Sequence, residues 1–186
     1  MKTHSLVLMW FLAAAAHGKV TETIEFTTYD VDVSQSRSLV RAMDAASPHR
    51  VDGKVVYGMT HYRVGWNYRY LQQPDGQCKV TEVEISYAAT VSMPRPVGAS
   101  ARQERKLTPM LAGLHVHELG HVAIGRDAAH AVEVAVSAVP GQPDCEALKT
   151  ALDEAGRRAM AGFADLGKQY DLQTSHGETQ GAWLYE

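Results

Sequence analysis

The sequence lacks the features that mark several classes of protein. Its net charge is only −3, so it has no excess of the basic residues that nucleic-acid-binding proteins carry. It contains no internal repeat and no low-complexity tract, and no apolar run after residue 16 is long enough to span a bilayer. The 186 residues, 45% of them hydrophobic, are therefore expected to form one globular domain around its own core.

The first 18 residues have the pattern of a secretory signal peptide. An apolar run over residues 5–16 follows a basic start and is short for a membrane span. The small residues Ala16 and Gly18 stand where a signal peptidase reads, and no nearby cysteine offers a site for a lipid anchor. We expect residues 19–186 to form the mature domain of a periplasmic or secreted protein. An uncleaved membrane anchor is the alternative.

Cysteine is scarce, and the whole chain contains only Cys78 and Cys145. An even number of cysteines in an exported chain favours a disulfide. Zinc sites built on thiolates usually bring their cysteines as close pairs, whereas these two are far apart in the sequence. We therefore predict a Cys78–Cys145 disulfide, with a pair of zinc ligands as the alternative.

Alternation of apolar and polar residues predicts strands in the first half of the mature domain. We expect a strand over residues 20–29, a short helix capped by Ser34 or Ser36, and then a long antiparallel hairpin that turns at residues 73–76. Pro94 and Pro96 are expected to end the second strand of the hairpin. The residues predicted to face the core are Thr60, Tyr62, Val64, Trp66, Tyr68 and Tyr70 on the first strand and Val83, Ile85, Tyr87, Ala89, Val91 and Met93 on the second.

Two long helices are predicted in the second half. The first is expected to start at Thr108-Pro109, since a capping hydroxyl before proline is typical of a helix start, and to end near Ala138. The second opens after Pro143 and carries a regular apolar stripe as far as Leu166, and a tail over residues 170–186 follows. The predicted fold is α+β: a twisted antiparallel sheet packed on a long helix, with a second helix antiparallel to the first.

The segment His117-Glu118-Leu119-Gly120-His121 lies inside the first long helix and matches the H-E-x-x-H pattern. Residues i and i+4 share one face of a helix, so the two histidines can bind one metal ion. Glu118 then lies at the edge of that site, where a carboxylate can take a proton from an activated water. Gly120 costs the helix roughly 1 kcal/mol relative to alanine, which indicates that a strand or a substrate approaches closely. The segment predicts a zinc hydrolase, with a chance match as the alternative.

A catalytic zinc has three protein ligands and one open position, and the residues leave the third ligand open. His115 and His130 point away from the face of the two motif histidines. Glu133 lies about 18 Å beyond His121 along the helix axis, at ~1.5 Å per residue. The candidates that remain are Asp127, Asp165 and His176.

Several features together resemble a known family. They are the signal peptide, a strand with Thr60, Trp66 and Tyr68, Cys78 before a strand closed by Pro94, the H-E-x-G-H helix, a second cysteine, and a Tyr170-Asp171-x-x-Thr174-x-His176-Gly177-x-x-x-Gly181-Ala182 pattern. With these features the chain resembles the bacterial predicted secreted zinc-dependent proteases, a family long catalogued as a domain of unknown function. The resemblance covers nearly all of the mature chain, although Leu119 stands where the family has glutamine.

The resemblance implies an exported, zincin-like zinc metallopeptidase that acts on a peptide or protein substrate. It makes His176 the first choice as the third Zn²⁺ ligand beside His117 and His121, with Glu118 as the general base. Tyr170 is predicted to be catalytic as a stabiliser of the oxyanion, a role open to His176 if it is not a ligand. The alternatives are a non-catalytic exported module that binds zinc or interacts with the cell envelope, and a disulfide-stapled binding domain without metal.

Overall fold

The computed structural model describes residues 18–185 and has an α+β architecture, as predicted. All of the predicted signal peptide except Gly18 lies outside the described residues. None of the helices in the described range combines the length and apolar character needed to cross a membrane. The elements are β1 (Gly18–Asp32), α1 (Leu39–Ala46), β2 (His49–Val51), β3 (Lys54–Val56), β4 (Met59–Gln72), β5 (Cys78–Val97), α2 (Ala101–Ser137), α3 (Cys145–Met160) and α4 (Phe163–Thr174), followed by a 3₁₀ turn at Glu178–Gln180.

β1, β5 and β4 form a three-stranded sheet in that order. β4 and β5 make the predicted antiparallel hairpin, in which Trp66 faces Ile85 and Tyr62 faces Ala89. β1 pairs with β5 in parallel, so the sheet is mixed and the prediction of a wholly antiparallel sheet was wrong. Alternating side chains assign residues to the two faces of a strand, but they carry no information about the direction of its neighbour.

β5 continues through Pro94 and Pro96 to Val97, beyond its predicted end. The pairing of β4 with β5 stops where Met59 meets Ser92, so the last part of β5 has a neighbour on one side only. Proline is tolerated there because its missing N–H can face the open side of the strand. The predicted inward row of β4 also ends early, because a register shift after Arg69 leaves Tyr70 39% exposed.

α2 is one helix of 37 residues that begins before the predicted start at Thr108-Pro109. Ser100 forms a capping box with Gln103: the Ser100 hydroxyl accepts the Gln103 N–H, and the Gln103 side chain accepts the Ser100 N–H. Pro109 therefore lies inside the helix, where it removes one N–H from the hydrogen-bond ladder. The predicted end near Ala138 is confirmed.

The predicted second long helix is in fact two helices. α3 ends at Met160 and α4 begins at Phe163, with Gly162 between them. Glycine loses more conformational freedom than other residues in a helix, and here it lies at the break between the two helices. α4 runs to Thr174, so residues 170–174, expected in an irregular tail, are helical and pack with the rest of α4 against α2.

The core is divided into two clusters, and both include α2. The first lies between the sheet and the second half of α2, and the second joins α1 to the first half of α2. Residues 117–121 lie between the α2 members of the two clusters, and the predicted Cys78–Cys145 disulfide links β5 to α3. The first cluster includes Val83, Ile85, Tyr87, Val122, Val132, Val136, Leu148 and Leu152, and the second includes Val31, Met43, Leu107, Met110, Leu114 and Leu184.

Candidate metal centre

Three potential metal ligands meet between α2 and α4. His117 and His121 lie on one face of α2, as their spacing predicts, with ring centroids 4.9 Å apart. Asp171 of α4 places its Oδ1 atom 3.2 Å from His117 Nε2 and 2.9 Å from His121 Nε2. These three residues form the group of donors, all within 4.8 Å of one another, that could hold a metal among the described residues. We call them the His-His-Asp group.

The spacing and chemistry of the His-His-Asp group fit zinc. Ligand atoms that each lie about 2.1 Å from one tetrahedral ion are about 3.4 Å apart, close to the observed separations. Two imidazoles and one carboxylate are also among the ligand types that zinc accepts. The residues present therefore suit the metal that the sequence predicts.

His117 is held by contacts on every side of its ring. Only 5% of the residue is exposed, and its Nδ1 lies 3.0 Å from Gln180 Oε1 and 3.3 Å from Thr174 Oγ1. The Tyr170 ring stacks on the imidazole with centroids 5.1 Å apart and an angle of 9° between the planes. These contacts direct the opposite nitrogen, Nε2, towards Asp171.

Tyr170 packs against α2 and is not among the residues that line the cleft above the His-His-Asp group. Its hydroxyl donates to the His117 carbonyl at 3.2 Å and accepts the side-chain N–H of Gln180 at 3.0 Å. A Cβ atom at Gly120 would overlap this hydroxyl, so the glycine of the motif makes room for a tyrosine rather than for a strand or a substrate. The structure thus gives Tyr170 a positioning contact, and its oxyanion role stays a prediction.

The Gly120→Ala variant is expected to push Tyr170, and with it Asp171, away from α2. Overpacking of this kind costs about 1–3 kcal/mol of stability. The matched control is Gly167→Ala in α4, where a Cβ meets nothing within 4 Å and should stabilise the helix by about 0.5–1 kcal/mol. Urea unfolding of both metal-free variants measures the difference. Equal free energies of unfolding would contradict the close approach of Tyr170.

Glu118 is buried at the floor of the cleft, with 3% of the residue exposed. Its Oε2 accepts the Thr60 hydroxyl at 2.7 Å, and a Cβ atom at Gly58 would overlap Oε1. Burial raises the pKa of Glu118, and the hydrogen bond from Thr60 and the nearby histidines only partly oppose that rise. A carboxyl whose pKa is raised is better matched to taking up and releasing a proton near neutral pH.

Contacts within the His-His-Asp group lower the pKa of Asp171 and raise the pKa of His117. Burial alone would raise the pKa of Asp171, but hydrogen bonds from His117 and His121 outweigh it and keep that pKa well below its usual range. Burial alone would lower the pKa of His117, but its bonds to Asp171 and Gln180 outweigh it and raise that pKa. A proton on His117 and a metal ion would compete for the same nitrogen, so metal binding is expected to strengthen as the pH rises.

His176, the predicted third ligand, lies beside the His-His-Asp group. Its Nδ1 is 4.0 Å from Asp171 Oδ1, and 57% of its side chain is exposed. Ser175, His176 and Gly177 all have positive φ, which turns the chain sharply after α4. The His176 N–H donates to the Asp171 carbonyl at 2.7 Å and closes this turn. His176 therefore lines the cleft close to Asp171, and its role as a ligand stays a prediction.

The other candidate ligands lie outside the group. α2 continues unbroken through Asp127, as the sequence favoured, and His115 and His130 on the same helix are exposed. Asp165 lies in the first turn of α4, whereas Asp171 lies near the end of that helix. Sequence reasoning missed Asp171 although it stands in the C-terminal pattern, because that stretch was expected to be an irregular tail. It also missed Gln180, whose position in the pattern has no fixed residue type.

A cleft of about 1010 Å³ opens above the His-His-Asp group. The β2–β3 hairpin and the start of β4 form one wall, and α4 with the segment that follows it forms the other. His117, Glu118 and His121 all line this space together with Asp171 and His176. A ligand in the cleft would therefore meet the potential metal ligands and the buried carboxyl at the same time.

The fold and the site define an α+β protein with a His-His-Asp group and a buried glutamate at the floor of one cleft. Residues 26–177 match the family model described as "Bacterial protein of unknown function (DUF922)", and the chain belongs to this family. The matched range includes the H-E-x-x-H segment, Asp171 and His176 and ends before Gln180. Searches of curated proteins and of solved structures gave no match.

Proposed function

We propose that this protein is an exported, zincin-like, zinc-dependent metallopeptidase. The observation that carries the proposal is the placement of Glu118 beside three zinc-type donors on the floor of one cleft. A structural zinc site is closed by four protein ligands, whereas a catalytic site leaves one position open. Three donors that face a cleft match the catalytic arrangement.

His117 and His121 would hold the ion through Nε2, and Asp171 would hold it through Oδ1. When bound, Zn²⁺ supplies a Lewis acid that polarises a carbonyl and lowers the pKa of water towards ~7. Asp171 thus takes the third position in this proposal. His176, with its exposed ring beside Asp171, then takes the role of hydrogen-bond donor to the oxyanion that develops on the substrate carbonyl.

Glu118 is the proposed general base. It accepts a proton from the attacking water and delivers that proton to the leaving nitrogen. The Thr60 hydroxyl holds Oε2, which leaves Oε1, on the side of Gly58, for the water. Burial suits the carboxyl to this exchange because it raises the pKa of Glu118.

The cleft favours an extended peptide or protein segment as the substrate. β4 is an edge strand of the sheet, and its residues Met59–Tyr62 line the cleft. The free backbone groups of an edge strand can pair with an extended chain. Apolar side chains on both walls, among them Val55, Phe163 and Trp183, offer contacts for substrate side chains.

Incubation of the zinc-loaded protein with a broad peptide library, followed by mass spectrometry, tests this function. We expect cleavage by the zinc-loaded protein and none by the same protein after treatment with a chelator. Restored cleavage on return of zinc is the control for irreversible damage. Bound zinc without cleavage would favour the non-catalytic zinc-binding module, and absence of zinc binding would overturn both readings.

A further inference from the structure

Gln180 lies beyond the segment that the family model matches, yet its side chain reaches the most buried member of the His-His-Asp group. Its Oε1 is 3.0 Å from His117 Nδ1, and its Nε2 donates to the Tyr170 hydroxyl at 3.0 Å. The Tyr170 hydroxyl also lies 3.3 Å from Gln180 Oε1, so it contacts both polar atoms of the amide. The amide places its oxygen towards the imidazole and its nitrogen towards this hydroxyl.

Thr174 presents a second acceptor to the same nitrogen of His117. The Thr174 hydroxyl donates its only proton to the Tyr170 carbonyl at 2.8 Å and accepts the Gly177 N–H at 3.2 Å. While that proton is donated to Tyr170, the hydroxyl oxygen, 3.3 Å from His117 Nδ1, is an acceptor for the ring. Two oxygen atoms thus face Nδ1, and this arrangement favours a proton on that nitrogen.

A neutral imidazole with its proton on Nδ1 has its lone pair on Nε2. Nε2 is the nitrogen of His117 that lies 3.2 Å from Asp171 Oδ1 within the His-His-Asp group. A protonated ring donates from Nε2 to Asp171, and a metal ion would take the place of that proton. The oxygens behind the ring would then keep the remaining proton on Nδ1, which is the tautomer that can bind a metal on the cleft side. Such outer hydrogen bonds orient metal ligands and make them more basic.

The position of Gln180 is fixed by the packing of its own segment. A Cβ atom at Gly113 of α2 would lie 2.6 Å from the Gln180 carbonyl oxygen and 2.5 Å from the Gly181 carbonyl carbon, so the backbone of the segment rests directly on the helix. The Ala182 N–H donates to the Gly177 carbonyl at 3.0 Å, and Leu184 is buried in the second core cluster. These anchors hold the amide in place behind His117.

We propose that Gln180 is a positioning residue that fixes the metal-binding tautomer of His117. The proposal rests on the zinc site proposed above and adds a residue outside the ligand set. Gln180→Leu keeps the approximate size of the side chain and removes the acceptor, whereas Gln180→Glu keeps an acceptor oxygen. Gln169→Leu, at an exposed position of α4, is the matched control.

The zinc dissociation constant, measured by competition with a chromophoric chelator, should rise about 10- to 100-fold in Gln180→Leu. It should stay within a few-fold of the wild-type value in Gln180→Glu and in Gln169→Leu. Wild-type zinc affinity in Gln180→Leu, or an equal loss in Gln180→Leu and Gln180→Glu, would overturn the proposal. The absence of zinc binding by the wild-type protein would overturn the proposed function itself.

A second measurement needs no variant. Long-range ¹H–¹⁵N NMR spectra of the zinc-loaded wild-type protein should show the His117 proton on Nδ1. A proton on Nε2 of His117 in a protein that binds zinc would overturn the role of Gln180. It would also remove His117 Nε2 from the proposed ligand set, whereas the binding of zinc itself would stand.

Discussion

Glu118→Gln protein loaded with zinc is expected to cleave peptides about 10²- to 10⁴-fold more slowly than the wild type. Glutamine keeps the shape of the side chain and can still contact the Thr60 hydroxyl, but it cannot take a proton from water. Zinc content should be unchanged because Glu118 lies outside the His-His-Asp group. Single-turnover cleavage assays measure the cleavage rate, and metal analysis of the same samples measures the zinc content.

Glu104→Gln is the matched control for this variant, since Glu104 lies exposed in the first turn of the same helix. Its cleavage rate should equal that of the wild type. Equal rates for Glu118→Gln and the wild type would refute the assignment of Glu118 as the general base. A loss of zinc from Glu118→Gln would show that the carboxyl supports the metal site rather than the proton transfer.

Substitutions of Asp171 and His176 are expected to have different effects. Asp171 is expected to act as a metal ligand, and His176 is expected to act in the reaction. Asp171→Asn should raise the zinc dissociation constant by roughly 10²-fold or more. Loss of an outer hydrogen-bond partner alone costs about 10- to 100-fold in metal affinity, and Asp171 is a proposed ligand. His176→Ala should bind zinc within a few-fold of the wild type and lower kcat, because its exposed ring lies beside the group and not within it.

Zinc titrations and steady-state kinetics on the two variants decide between the two candidate ligands. The reverse pattern, in which His176→Ala loses the metal and Asp171→Asn retains it, would establish His176 as the third ligand. Asp171 would then be an outer hydrogen-bond partner of His117 and His121. Lys168→Ala, which changes another cleft-lining residue of α4, is the control for general damage to the cleft.

The parts of the site that depend on local spacing could be predicted from the sequence. The face shared by His117 and His121 follows from the helical repeat, and both side chains meet in the structure. The β4–β5 hairpin follows in the same way from strict alternation and a turn with proline and glycine. The disulfide followed from the count of cysteines and the expected export of the chain.

The parts that depend on distant contacts could not be predicted in this way. The parallel pairing of β1 with β5 joins residues that are far apart in the sequence, and alternation is the same for either strand direction. Asp171 reaches the histidines from α4, a separate helix after the break at Gly162, whereas the sequence predicted one helix to Leu166 and then a tail. The sequence predicted that a neighbour approaches Gly120 closely. It could not show that this neighbour is Tyr170, which lies on another helix.

Asp171 follows His121 by 50 positions, and the whole of α3 lies between them. A chain that has formed only α2 can therefore offer zinc nothing more than a pair of histidines, which is a weak and unselective chelate. In the proposed zinc site, tight capture would have to wait until α4 docks, so the metal would arrive late in folding and would not template its early steps. This order would limit premature loading, and tight retention of zinc would report that α4 has docked on α2.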